Sequence, residues 1–118
     1  MRKPILFLLA GLVGVLLSLA SAEARIYSVA DWGAKGTGQV LDTTAIQATI
    51  DAAAKTGGGT VWFPAGTYLS GTIYLRNGIT LHLDSGAVLL GSTRLEDYPV
   101  NRPKIRSYTD NYVERSLI

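Results

Sequence analysis

Few side chains in this sequence can do chemistry, and most of them stand alone. From Arg25 onward there are eight carboxylates, one histidine (His82) and no cysteine. Two carboxylates do acid–base work when separate elements bring them to one bond. Glu96-Asp97 is an adjacent pair, and neighbours on a loop seldom converge in that way. Asp42 precedes a helical pattern, where aspartate is a preferred cap. Asp51 falls on the polar face of the same helix. His82 has no cysteine or second histidine to share a metal with, so no metal site is expected. The glycines between Asp31 and Gly38 lack both the GxGxxG spacing and a P-loop lysine, which argues against a phosphate cradle. No cofactor is expected. Arg102, Lys104 and Arg106 alternate, and such a row of cations suits a polyanion. They are the candidate substrate-binding residues, although a solvated loop carries the same composition. Tyr98, Tyr108 and Tyr112 in that stretch have rings fit either for stacking on a ligand or for packing the loop down.

The segment ahead of these residues reads as an address. Arg2 and Lys3 precede an apolar run from Ile5 to Leu19. Ala20-Ser21-Ala22 and Ala22-Glu23-Ala24 both fit a small-x-small cleavage site, so residues 1–24 are expected to be a secretory signal peptide. The alternative is an uncleaved anchor, for which the run is short. The expected location is secreted or periplasmic, without stable membrane association after cleavage. The rest carries nine Lys+Arg against eight Asp+Glu. That balance predicts no nucleic-acid binding. A monomer is expected.

The positioning elements follow from periodicity. Arg25 to Val29 reads as a short strand and Asp31 to Gly38 as a glycine-rich loop. Ile46, Ile50 and Ala53 lie on one face of a helix, over about residues 43–55. Thr44 and Gln47 fit a capping box, and Gly57 sits where a left-handed residue ends a helix. From Thr60 the period becomes two, with Val61 and Phe63 on one face and Thr60 and Trp62 on the other. Further short strands are expected at Thr67–Leu69, Thr72–Leu75, Ile79–Leu83 and Val88–Leu90.

A repeat underlies these strands. Shifted by twenty residues, Gly58–Gly71 lies over Gly78–Gly91. Gly58/Gly78, Thr60/Thr80, Gly66/Gly86, Leu69/Leu89 and Gly71/Gly91 are then identical. A period near twenty with glycine corners is the signature of a solenoid; a meander or sandwich of antiparallel strands is the alternative. On this reading Pro64 and Asp84 occupy matched corners, and His82 points outward. About two coils are expected over residues 60–91, followed by a polar excursion over about 92–115.

The stretches Tyr27-Ser28-Val29-Ala30-Asp31-Trp32-Gly33 and Gly57-Gly58-Gly59-Thr60-Val61-Trp62-Phe63-Pro64-Ala65-Gly66-Thr67-Tyr68 resemble the N-terminal region of pectin-lyase-like proteins. Leu81-His82-Leu83-Asp84-Ser85-Gly86-Ala87-Val88-Leu89, with Gly91-Ser92 and Glu96-Asp97-Tyr98-Pro99, is more similar still to polygalacturonase-like family 28 glycoside hydrolases. The pattern departs from the family at Thr37 and at Leu41-Asp42, both before the helix. The resemblance implies an all-β solenoid: a right-handed single-stranded parallel β-helix, of which residues 25–118 would be the N-terminal part. It makes the helix a cap over the first coil. It implies inverting hydrolysis of α-galacturonosidic bonds in pectic polysaccharide, with no metal cofactor. Inversion needs an acid and a base about 6.5–9.5 Å apart. The family's Asn-Thr-Asp, Gly-x-Asp-Asp, Gly-His-Gly and Arg-Ile-Lys motifs are absent from this sequence. No catalytic residue is therefore assigned, and they are expected beyond Ile118. The isolated chain is expected to be inactive. The alternatives are a pectate-lyase-like enzyme, which would use calcium and a basic residue for β-elimination, and a non-catalytic polysaccharide-binding or surface β-helix protein.

Overall fold

The computed structural model describes residues 25–102, 104 and 114–118. The leader expected over 1–24 lies outside the described residues. Three short elements open the chain: strand β1 (Ile26–Ser28), a 3-10 turn (Val29–Trp32) and strand β2 (Thr37–Leu41). Helix α1 spans Thr43–Lys55. Strands β3 (Gly59–Phe63), β4 (Gly66–Ser70), β5 (Ile79–Leu83) and β6 (Ala87–Gly91) follow, and a 3-10 turn (Leu95–Asp97) comes last. The strands form two parallel three-stranded sheets, ordered β1-β3-β5 and β2-β4-β6. Consecutive strands therefore never pair with each other. Each pairs with its equivalent one turn of chain later, as a β-helix requires. This excludes the antiparallel alternative.

Each sheet has three rungs where the sequence suggested two coils. The missed strand is β2, read as loop because its glycines and polar residues show no clean alternation. It is a strand because β4 lies beside it, with Thr37 opposite Thr67 and Leu41 opposite Leu69 across an irregular register. The repeat is also not uniformly twenty. Thr60 pairs with Thr80, but Thr67 pairs with Val88 and Leu69 with Leu90. The corner after β3 is Pro64-Ala65, whereas the corner after β5 is Asp84-Ser85-Gly86. One extra residue there shifts every later partner, so the Leu69/Leu89 and Gly71/Gly91 identities do not stack. The shift keeps Leu89 on the inner side opposite the buried Tyr68. A one-residue slip would have reversed every side chain. The corner positions of Pro64 and Asp84 do correspond: Asp84 donates its N–H to Phe63 O at 3.0 Å.

Helix α1 closes the core. Ile46, Ile50 and Ala53 are fully buried, as is Thr49. They meet Val29, Val61, Phe63, Tyr68 and Ile73 in one cluster. The helix ends on the expected glycine. Gly57 has φ 92°, Gly57 N donates to Ala54 O at 3.1 Å, and Gly58 N to Ala53 O at 3.0 Å. These two bonds make a Schellman stop. Its start differs from expectation. Asp42 sits at the cap position without a capping bond. Its carboxylate turns back and accepts from Lys35 N at 2.8 Å and Gly36 N at 3.0 Å. Nor does Gln47 complete a capping box.

Gln47 instead explains why Thr72–Leu75 is not a strand. Its amide accepts from Tyr74 N at 2.7 Å and donates to Tyr74 O at 3.0 Å. A side-chain amide thus supplies the donor and acceptor that a neighbouring strand would offer. On the other side, Ile73 N donates to Leu117 O at 2.9 Å and Thr72 Oγ1 to Ser116 O at 2.5 Å. The third face of the solenoid is therefore layered as helix, Thr72–Arg76 and Ser116–Ile118. The start of the excursion stays against the coil, with Thr72 N donating to Asp97 O at 3.3 Å.

Candidate functional site

The inward turn of Val61 and Phe63, both fully buried, sends Thr60 and Trp62 to the outer face of the β1-β3-β5 sheet. Parallel pairing without slip then stacks like positions. Ile26, Thr60 and Thr80 form one row, and Ser28, Trp62 and His82 the next. Ile26, Thr60, Trp62 and His82 line an open groove of about 390 Å³. His82 is exposed, as its outward alternation predicts. Trp62 is half-buried there and presents an aromatic face of the kind that stacks on apolar ring surfaces. Thr60 and His82 add hydrogen-bonding groups beside it. Among the described residues no carboxylate lines the groove. Among the described residues the arrangement offers stacking and hydrogen-bonding groups and no acid–base pair.

Five of the described carboxylates are engaged elsewhere. Asp42 is buried and holds the loop before the helix. Asp51 accepts from Gln47 Nε2 at 3.0 Å and from Arg76 Nε at 3.2 Å. Those two hydrogen bonds, the Gln47 one foremost, hold its carboxyl below the ordinary carboxylate range. Asp84 accepts from Ser85 N at 2.9 Å within its own corner. Glu96 pairs with Arg94 at 2.7 Å, while its neighbour Asp97 takes the Ser92 hydroxyl. The adjacent pair thus serves two different partners. Among the described residues no group of three His, Cys, Asp or Glu could hold a metal. Tyr68 is an inner-face residue, with its ring edge-on to Phe63 and its hydroxyl donating to Pro64 O at 2.8 Å. Burial, with the nearby Asp42 charge, pushes its phenol above the usual value.

Of the basic residues chosen from sequence, Arg102 and Lys104 are among the described residues. Arg102 lies at the neck of the excursion, 3.7 Å from Glu114, where Asn101 N donates to Glu114 O at 2.8 Å. Lys104 is exposed. Arg106 lies outside the described residues, as do Tyr108 and Tyr112. Tyr98 packs onto the coil, donating its hydroxyl to Ser92 O at 2.7 Å. The sequence reading missed the Trp62 groove as a site. Its signal was the outward position of Trp62 and His82 at the same place in two repeats.

No helix among the described residues is long and apolar enough to cross a membrane. Residues 26–98 match the family model described as "Rhamnogalacturonase A/epimerase, pectate lyase-like". The chain is 39% identical over 98 residues to an exo-poly-alpha-D-galacturonosidase of Dickeya chrysanthemi, a match covering 83% of this chain and 16% of that protein. It is 43% identical over 79 residues to plasmin and fibronectin-binding protein A of Streptococcus pneumoniae, covering 65% and 11%. The solved family 28 exopolygalacturonase of Yersinia enterocolitica superposes with a TM-score of 0.63 at 46% identity, covering 69% of this chain and 14% of that one. The chain thus spans a small part of the length of the proteins it matches. With its stacked parallel rungs and helix-closed first coil, it belongs to the rhamnogalacturonase A/epimerase, pectate lyase-like family of right-handed parallel β-helix proteins.

Proposed function

We propose that this chain is the cap and first coils of an exported polygalacturonase-like hydrolase acting on pectic polysaccharide. Residues 1–24 would direct export, and residues 25–118 would nucleate a longer β-helix whose later coils carry the catalytic carboxylates. The observation that carries this reading is the breadth of the galacturonosidase match, 83% of this chain. It reaches into the excursion after the coils, beyond the cap and rungs that define the fold. The role of the described region is to start the stack and set its register. The Trp62 groove and the basic excursion, with Arg102, Lys104 and Arg106, are the parts able to touch a polyanionic sugar chain.

A second reading is a β-helix that binds polysaccharide or a surface partner without cleaving it. The similarity to the fibronectin-binding protein favours it, since that protein shares 43% identity over 65% of this chain. The absence of an acid–base pair among the described carboxylates is compatible with either reading. The deciding experiment expresses the complete open reading frame and supplies polygalacturonate. New reducing ends without unsaturated uronate products support hydrolysis. Unsaturated products would replace it by β-elimination. Binding with no new ends would replace it by the non-catalytic reading.

A further inference from the structure

Asn77 and Gly78 form the corner that leads into β5. Asn77 is exposed and makes no hydrogen bond among the described residues. Gly78 is exposed too, with φ 74°. Its N–H donates to nothing among the described residues, while its carbonyl accepts from Gly59 N at 3.0 Å. The backbone nitrogen that follows Asn77 thus belongs to an exposed residue with no side chain and has no hydrogen-bond partner among the described residues.

We propose that Asn77 is a site of spontaneous deamidation in the folded protein. Gly78 N, losing its proton to a solvent base, attacks Asn77 Cγ. The bond from Cγ to the side-chain nitrogen breaks, and ammonia leaves after gaining a proton. Water then opens the five-membered imide at either carbonyl, giving aspartate or isoaspartate. The net change is water in and ammonia out, with no other reactant. Asparagine is among the residues that high-temperature proteins avoid, and a glycine neighbour removes the steric hindrance to ring closure.

The position gives the reaction a structural consequence. Isoaspartate routes the main chain through the former side chain and so lengthens it at this corner. The corner has no slack: a Cβ on Gly58 would lie 2.5 Å from Gly78 O. Isoaspartate at 77 therefore displaces the start of β5 from β3, whereas plain aspartate leaves the backbone unchanged.

The test ages the full chain, folded, at mildly alkaline pH and maps peptides by mass, with isoaspartyl methyltransferase to count isoaspartate. Asn101 and Asn111, followed by Arg102 and Tyr112, are internal controls. Conversion at Asn77 is expected to be several-fold faster than at either, and Asn77→Ser should abolish most isoaspartate. The aged protein should unfold at lower urea than the Asn77→Asp variant. Equal rates at the three asparagines, or conversion at Asn77 only in urea, would overturn the site. Full conversion to isoaspartate with an unchanged urea midpoint would overturn the structural consequence.

Discussion

Asp42 holds one loop and starts one helix. It is 3% exposed, and two backbone N–H groups bond to its carboxylate. Hydrogen bonds to a charged group contribute about 1.5–3 kcal/mol each, and a buried donor left unpaired adds its own cost. Asp42→Ala is thus predicted to destabilise the chain by at least about 2 kcal/mol, read as a fall in the urea midpoint. Asn, which keeps one acceptor oxygen, should restore part of it. The sequence pointed to Asp42 but to the wrong job, because an aspartate before a helix can cap it or tie down the preceding loop. The backbone decides: at φ −100° and ψ 5° this residue is outside the extended region of a side-chain cap. A second residue-scale prediction concerns Asp51. Its folded pKa is depressed, so its contribution is present above the unfolded value and is lost as pH falls through the folded one. Acidification below the ordinary carboxylate range should release Arg76 and loosen the Gln47–Tyr74 contact. The wild type should lose stability over that window, and Asp51→Asn should lose less. Identical acid titrations of the two proteins would refute this.

At the scale of elements, the best-read features were those set by local chemistry. The buried face of α1 and its glycine stop need only the i, i+4, i+7 spacing and a left-handed residue, both visible in the sequence. Features decided by a partner elsewhere were misread. β2 depends on β4, and Thr72–Leu75 is held by the Gln47 side chain on one flank and Ser116-Leu117 on the other. The twenty-residue repeat was right for β3 and β5 and one residue short for β4 and β6, because identities cannot reveal where a corner gains a residue. The tight junction between β3 and β5 is Gly58, with φ 110°. A methyl there would stand 2.5 Å from the Gly78 carbonyl oxygen, a backbone atom that cannot swing aside. Gly58→Ala is therefore expected to unseat β3 from β5 while leaving helix α1 capped by Gly57. Circular dichroism should show loss of strand signal before loss of helix. A variant as stable as the wild type would show that the corner can relax.

For the molecule as a whole, the three rungs are unequally protected. The middle rung has neighbours on both sides, and its Val61, Phe63 and Tyr68 are 0–3% exposed. In the last rung the corresponding Leu81 and Leu89 are only partly buried. The outer edges of β5 and β6 have no strand partner among the described residues. Natural edges are blunted by charge, proline or bulges. The strands Ile79–Leu83 and Ala87–Gly91 contain no Lys, Arg, Asp, Glu or proline. Val88 and Leu90 add exposed apolar surface on β6, at 48% and 44%. The purified 118-residue chain is therefore predicted to associate through this edge and to show no turnover of pectin. Sedimentation velocity should find species larger than the monomer that grow with concentration. A Val88→Lys, Leu90→Lys double variant should return the chain to monomer, because paired edges would bring like charges together without touching the buried cluster. Sheet content should be unchanged in that variant, which separates lost association from lost folding. A wild-type chain that stays monomeric across concentrations would mean that the last rung protects itself.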